Sequence, residues 1–149
     1  MSVDRRDVRI LAMQILCQWD VQQDESVEAS TAVADIVEGS PPVAAAAAEL
    51  VASFWRDREE IDRRIAAVAE KWDLPRLSLV DRNVLRVAVV EMLSGTTPPK
   101  VALDEAIEIV KEFGGGDSAR FVNGVLDAVL HRMQAQTGDA PPTRGGATS

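Results

Sequence analysis

Proline and glycine punctuate this chain at intervals of one helix length. Gly39 with Pro41-Pro42, Pro75, Gly95 with Pro98-Pro99, and the triplet Gly114 to Gly116 each close one apolar segment and open the next. Within the segments the apolar residues recur every three or four positions. Val8, Leu11, Ala12, Ile15, Leu16 and Trp19 follow the spacing of one buried stripe, with Ser2 placed to cap the helix. A second helix is expected over residues 26–38. An alanine-rich third begins at Pro42, where a missing amide is harmless in a first turn. From 42 to 72 the pattern stays helical except for the polar interval 56–60, which the sequence leaves open as a break or an exposed turn. Residues 79–93 form a largely apolar, central helix. Residues 101–113 form another, and 119–134 a last one, capped by Asp117 or Ser118, with Phe121, Val122, Val125, Leu126, Val129 and Leu130 inward. No segment alternates with period two, so sheet-containing folds are disfavoured. The expectation is an all-α bundle of six or seven helices.

At 149 residues the chain has the size of one domain. Residues 1–136 are expected to form it, and 137–149, rich in Pro, Gly, Ala and Thr, to be a disordered tail. With 4% aromatic residues and no Tyr, a base-stacking sheet for RNA has little to build on. A net charge of -8 excludes a global positive field as the attraction for a polyanion, so any nucleic-acid site must be local. Cys17 is the only cysteine, which rules out an internal disulfide and fits a reducing, cytoplasmic setting. Arg5-Arg6 before the apolar residues 10–17 imitates a secretory leader, but Gln14 interrupts the run and no small-residue cleavage site follows. The apolar run 43–54 is broken by Glu49 and is shorter than the roughly 20 residues of a membrane span.

Catalytic parts are missing. His131 is the only histidine, and there is neither a nucleophile elbow, a phosphate-binding loop nor a Cys with a base. No enzyme activity, catalytic residue, metal or cofactor is expected.

Several spaced blocks carry a resemblance. Arg5-Arg6-x-x-Arg9 with Gln14 and Trp19, then Asp81-Arg82-Asn83-Val84-Leu85-Arg86-Val87-Ala88, Asp104-Glu105-Ala106, Lys111, Phe113-Gly114, and Phe121-Val122-Asn123-Gly124-Val125-Leu126-Asp127 resemble the NusB family over residues 5–130. The resemblance implies two packed helical subdomains and a role in processive antitermination, mainly on ribosomal RNA operons. It also implies binding to the single-stranded boxA element of nascent RNA, together with the small-subunit ribosomal protein NusE and the transcription elongation complex.

On a helical wheel Arg5, Arg6 and Arg9 share one sector, and arginine forks suit phosphate oxygens. A solvated helix face would look the same, but the family uses an arginine-rich N-terminal segment for RNA. Asp7 stands where the family commonly carries another basic residue. Asp117 and Phe121 match positions that the family uses for RNA, although an N-cap and a core ring would explain them equally. The resemblance assigns Cys17 and Asp81 to the NusE side, with Cys17 in place of a common aromatic, which lowers the binding energy expected there. Arg86 is expected to pair with Glu91 or Glu105, Asp104 to alter a cap, and Gly124 to mark close helix packing. One other function remains. A helical protein-binding or self-associating module with little RNA affinity fits the net charge, Asp7 and Cys17, and the apolar helix faces allow a homodimer.

Overall fold

In the computed structural model, which describes residues 3–22, 41–69 and 77–137, α1 spans Arg5–Gln22 and α2 Pro41–Val68. They are followed by α3 (Leu79–Ser94), α4 (Pro99–Phe113) and α5 (Ser118–Thr137). Among the described residues all regular structure is helical, as the punctuation predicts. The described helices number five, against six or seven expected. The helix expected over 26–38 lies outside the described residues, as do Ser2, Pro75 and residues 138–149. The last helix runs to Thr137, one residue into the stretch assigned to the tail.

Several helix ends have a local reason. Asp4 Oδ1 accepts the amide of Arg6 at 2.9 Å and so starts α1. Ser78 Oγ accepts the amide of Asp81 to cap α3, and Gly95, at φ 77°, turns the chain out of it in the left-handed region that favours glycine. Pro98 and Pro99 open α4. Gly114 closes it by donating its amide to Val110 O at 2.8 Å.

The polar interval 56–60 is a break inside α2. Asp57 sits at φ -111°, ψ 20°, outside helical values. Arg58 donates Nη1 to the carbonyl of Trp55 at 2.6 Å and lies 4.0 Å from the Trp55 ring centre, taking up a carbonyl within the broken turn. The break lets Ala47, Val51 and Phe54 turn inward on one side and Ile61 and Ile65 on the other, all buried.

Helix α3 packs against every other described helix. Its residues from Asn83 to Met92 are all buried, which explains the nearly unbroken apolar run in the sequence. The α1 stripe is buried at Val8, Ala12, Ile15 and Leu16, while Leu11 and Trp19 are half-buried. Val101 near the start of α4 and Phe113 at its end are exposed.

Gly124 departs from expectation. It lies exposed on α5, and a Cβ built there would meet nothing within 4 Å, so close packing does not explain it. Gly114 is the glycine that packing requires, because a Cβ would stand 2.8 Å from Ser118 Cβ and from Val110 O. Gly124→Ala is therefore expected to raise stability by about 0.5–1 kcal/mol. Gly114→Ala should lower the denaturation midpoint, and a urea titration of both variants reads the opposite signs.

Candidate RNA and partner interface

The N-terminal arginines of α1 face two carboxylates from other helices. Glu91, in the middle of the apolar α3 run, is 1% exposed and accepts Arg9 Nε at 2.7 Å and Thr97 Oγ1 at 3.0 Å. Arg5 Nη2 reaches the same carboxylate at 3.8 Å. Glu105 on α4 accepts Arg6 through Nε and Nη2, both at 2.9 Å, and Arg9 Nη1 lies 3.7 Å away. The fork of Arg6 makes the bidentate pairing that arginine geometry favours, and those bonds hold the Glu105 carboxyl below the ordinary carboxylate range.

These contacts separate the three arginines, which the sequence groups together. Arg9 is buried, its side chain only 7% exposed, so it is a packing and pairing residue rather than a presented one. Burying Glu91 without a cation would be costly, and Arg9 is that cation. Arg5 and Arg6 keep about half of their side-chain surface, at 49% and 48%. Beside Arg5 opens a groove of about 370 Å³, lined also by Glu49, Ser53, Ser94, Thr96 and Thr97. Ala46, Leu50 and Val90 line it as well, so a sugar-phosphate chain would meet one guanidinium and four hydroxyls beside apolar surface and the Glu49 carboxylate.

Asp117 and Phe121 stand at a second place. Asp117 is exposed at the start of α5, where its carbonyl accepts the amide of Phe121 at 3.1 Å, and the Phe121 ring is half-buried against the core. The Gly115 amide is already donated to Ser118 Oγ at 2.9 Å, which removes one N–H from a glycine nest there. Roughly 12 Å of α4 lies between Glu105 and the Phe113 turn. Only an extended ligand spans both places.

Cys17 and Asp81 meet at the seam of α1 and α3. The Cys17 thiol donates to Leu79 O at 3.5 Å, and Leu79 shares the first turn of α3 with Asp81. Burial pushes the thiol's pKa up, so Cys17 is a poor nucleophile. Among the described residues, Asp81 Oδ1 on α3 and Trp19 Nε1 on α1, whose ring packs edge-on against Phe54 and Trp55, are buried without a hydrogen-bond partner.

Arg86 does not use Glu91 or Glu105. It pairs with Asp62 through Nε and Nη2, both at 2.9 Å, and with Asp20 through Nη1 at 2.9 Å. The true partners of both expected carboxylates are the α1 arginines. Sequence reasoning missed that a lone acid in the run Val89-Val90-Glu91-Met92 demands a cation from another element, and Arg9 in the buried α1 sector was available. Asp104 caps nothing and instead pairs with Lys100 at 3.1 Å.

The NusB family model matches residues 6–131, most of the chain. The chain belongs to the NusB family. A transcription antitermination protein NusB from Solibacter usitatus is 40% identical over 142 residues, covering 94% of this chain and 96% of its own. NusB from T. maritima superimposes with a TM-score of 0.78 at 36% identity, over 88% of this chain and 93% of that one. A crystal structure of antitermination factors NusB and NusE in complex with dsRNA matches with a TM-score of 0.73 at 27% identity, over 86% of this chain and 96% of the other. No described helix of this NusB-family chain is long and apolar enough to cross a membrane.

Two outcomes follow from the pairing. Arg9→Ala strands Glu91 and should lower stability by about 3–5 kcal/mol in chemical denaturation, whereas Arg6→Ala, which removes a half-exposed partner, should cost no more than about 1 kcal/mol. Because the folded-state pKa of Glu105 lies below its ordinary value, its stabilisation is complete above pH 4.5 and is lost as pH falls through the folded value. Thermal melts from neutral to acid pH should therefore show a shallower acid loss for Glu105→Gln than for the wild type.

Proposed function

We propose that this chain is a cytoplasmic transcription antitermination factor that binds the boxA RNA of ribosomal RNA operons together with NusE, as part of the elongation complex, and performs no catalysis. The observation that carries this is membership of the NusB family, joined to the likeness to a NusB bound to NusE and RNA. On this view residues 1–136 are the RNA-binding domain. Helices α1 and α2 form one subdomain and α3 to α5 the other.

The geometry supplies the division of labour. Arg5 presents its guanidinium to RNA phosphates at the groove beside α1, and the half-exposed Arg6 follows it on the same helix. Arg9 positions Glu91, which in turn lies within reach of Arg5. Phe121 offers part of a ring for stacking on a base, and Asp117 an acceptor for a base or ribose donor. Since Arg6 already holds Glu105, a phosphate must exchange with a carboxylate to be bound there, which limits the net gain. At the other end of α1, Cys17 and Asp81 form the surface for NusE.

A fluorescence-anisotropy titration of boxA-like single-stranded RNA against a scrambled RNA of equal length, each with and without NusE from the same organism, tests this. Expected is a preference for boxA that tightens with NusE and weakens in Arg5→Ala. Two or three phosphate contacts should lower log K by about 1.5–2 per tenfold salt, at roughly 0.7 per contact. Equal binding to both RNAs, or none with NusE present, would assign the chain instead to a protein-binding module, for which the exposed Val21, Val101 and Phe113 offer contacts.

A further inference from the structure

Away from the α1 terminus, the second half of α2 and the end of α5 enclose a groove of about 290 Å³. It is lined by Arg63, Arg64, Ala67, Val129, Arg132 and Gln136. In a chain of net charge -8, three guanidinium groups around one groove, only one of them paired with a carboxylate, leave the spot locally positive. Arg64 is fixed in place, donating Nε and Nη2 to Glu60 at 3.0 and 2.8 Å and Nη1 to Gln136 at 3.2 Å. Arg63 and Arg132 are exposed, and among the described residues neither has an ion-pair partner. Asp127, the acid nearest along α5, sits 3.7 Å from His131.

One fixed arginine and two unengaged ones around a floor of Ala67 and Val129 suit a row of phosphates, which arginine forks bind in pairs of hydrogen bonds. The position suits it too. Arg132 follows Phe121 by 11 residues, which places it about 20° away on the wheel and roughly 16 Å further along α5. A strand in contact with Phe121 that follows α5 arrives at the groove.

We propose that the Arg63–Arg64–Arg132 groove is a second anion site, which holds the phosphate backbone of RNA flanking the segment bound at the α4–α5 turn, without regard to its sequence. This rests on the RNA-binding function above and extends its footprint to the far end of α5.

The test is an anisotropy comparison, with saturating NusE, of a boxA RNA of about 12 nucleotides and the same RNA extended by about ten on each side. The wild type should bind the extended RNA about tenfold more tightly, with a salt slope steeper by about 1.4, the value for two added contacts. Arg63→Ala/Arg132→Ala should lose that gain and keep its affinity for the short RNA. Arg56→Ala/Lys100→Ala, which removes the same charge elsewhere, should keep both. The proposal is overturned if extension brings no gain, if the groove variant retains the gain, or if the control variant loses as much. It is equally overturned if an acidic peptide such as polyglutamate depends on the groove arginines while extended RNA does not. Short-RNA binding without a length effect removes this site alone, whereas binding of neither RNA removes the RNA-binding function with it.

Discussion

Arg86 joins three helices through directed bonds. It is buried on α3, reaches Asp20 on α1, and reaches Asp62 on the second half of α2. Its guanidinium carbon lies 5.6 Å from the ring centre of Trp19 and 5.1 Å from that of Phe54. Phe54 precedes the break at Asp57 and Asp62 follows it, so one side chain grips both limbs of α2. Apolar packing tolerates small rotations of one helix on another, but a planar fork shared between two carboxylates does not. Asp20 is further held by Arg82 and Asn83, each at 2.9 Å. The angle between the first two helices and the central one is thus set by directed bonds.

The ion pairs at the other end of α1 work by the same physics, with a different outcome. There Glu91 and Glu105 draw the helix terminus onto α3 and α4, and the arginines they hold are those the family resemblance assigns to RNA. Under the proposed function, structure and recognition share one set of charges. Arg9 serves the fold, Arg5 is the freest, and Arg6 stands between, exposed yet bonded.

How much of this was legible in the sequence follows from range. Helix ends obey local chemistry, and the stops at Gly95, Pro98-Pro99 and Gly114 to Gly116 could be read directly. The centrality of α3 was legible too, because a run with no polar face has to be surrounded. The break at Asp57 was visible only as a polar interval, since a capped break and a solvated turn use the same residues. Partner choice was not legible. Arg86, Glu91 and Glu105 were each recognisable as needing a counter-charge, but helix packing decides which, and it gave Arg86 two aspartates 66 and 24 residues away in the chain. Gly124 misled because a glycine in a helix looks alike whether a neighbour or only solvent lies beside it.

The pairing at the α1 terminus also bears on kinetics. Asp4, Asp7, Glu91 and Glu105 offset Arg5, Arg6 and Arg9, so a polyanion approaching this end meets little attractive field. Electrostatic steering lifts association rates to about 10⁸–10⁹ M⁻¹s⁻¹, whereas encounters without it fall near 10⁵–10⁶ M⁻¹s⁻¹. A protein so arranged samples stray nucleic acid rarely and finds its own ligand slowly, unless a partner already on the RNA delivers it.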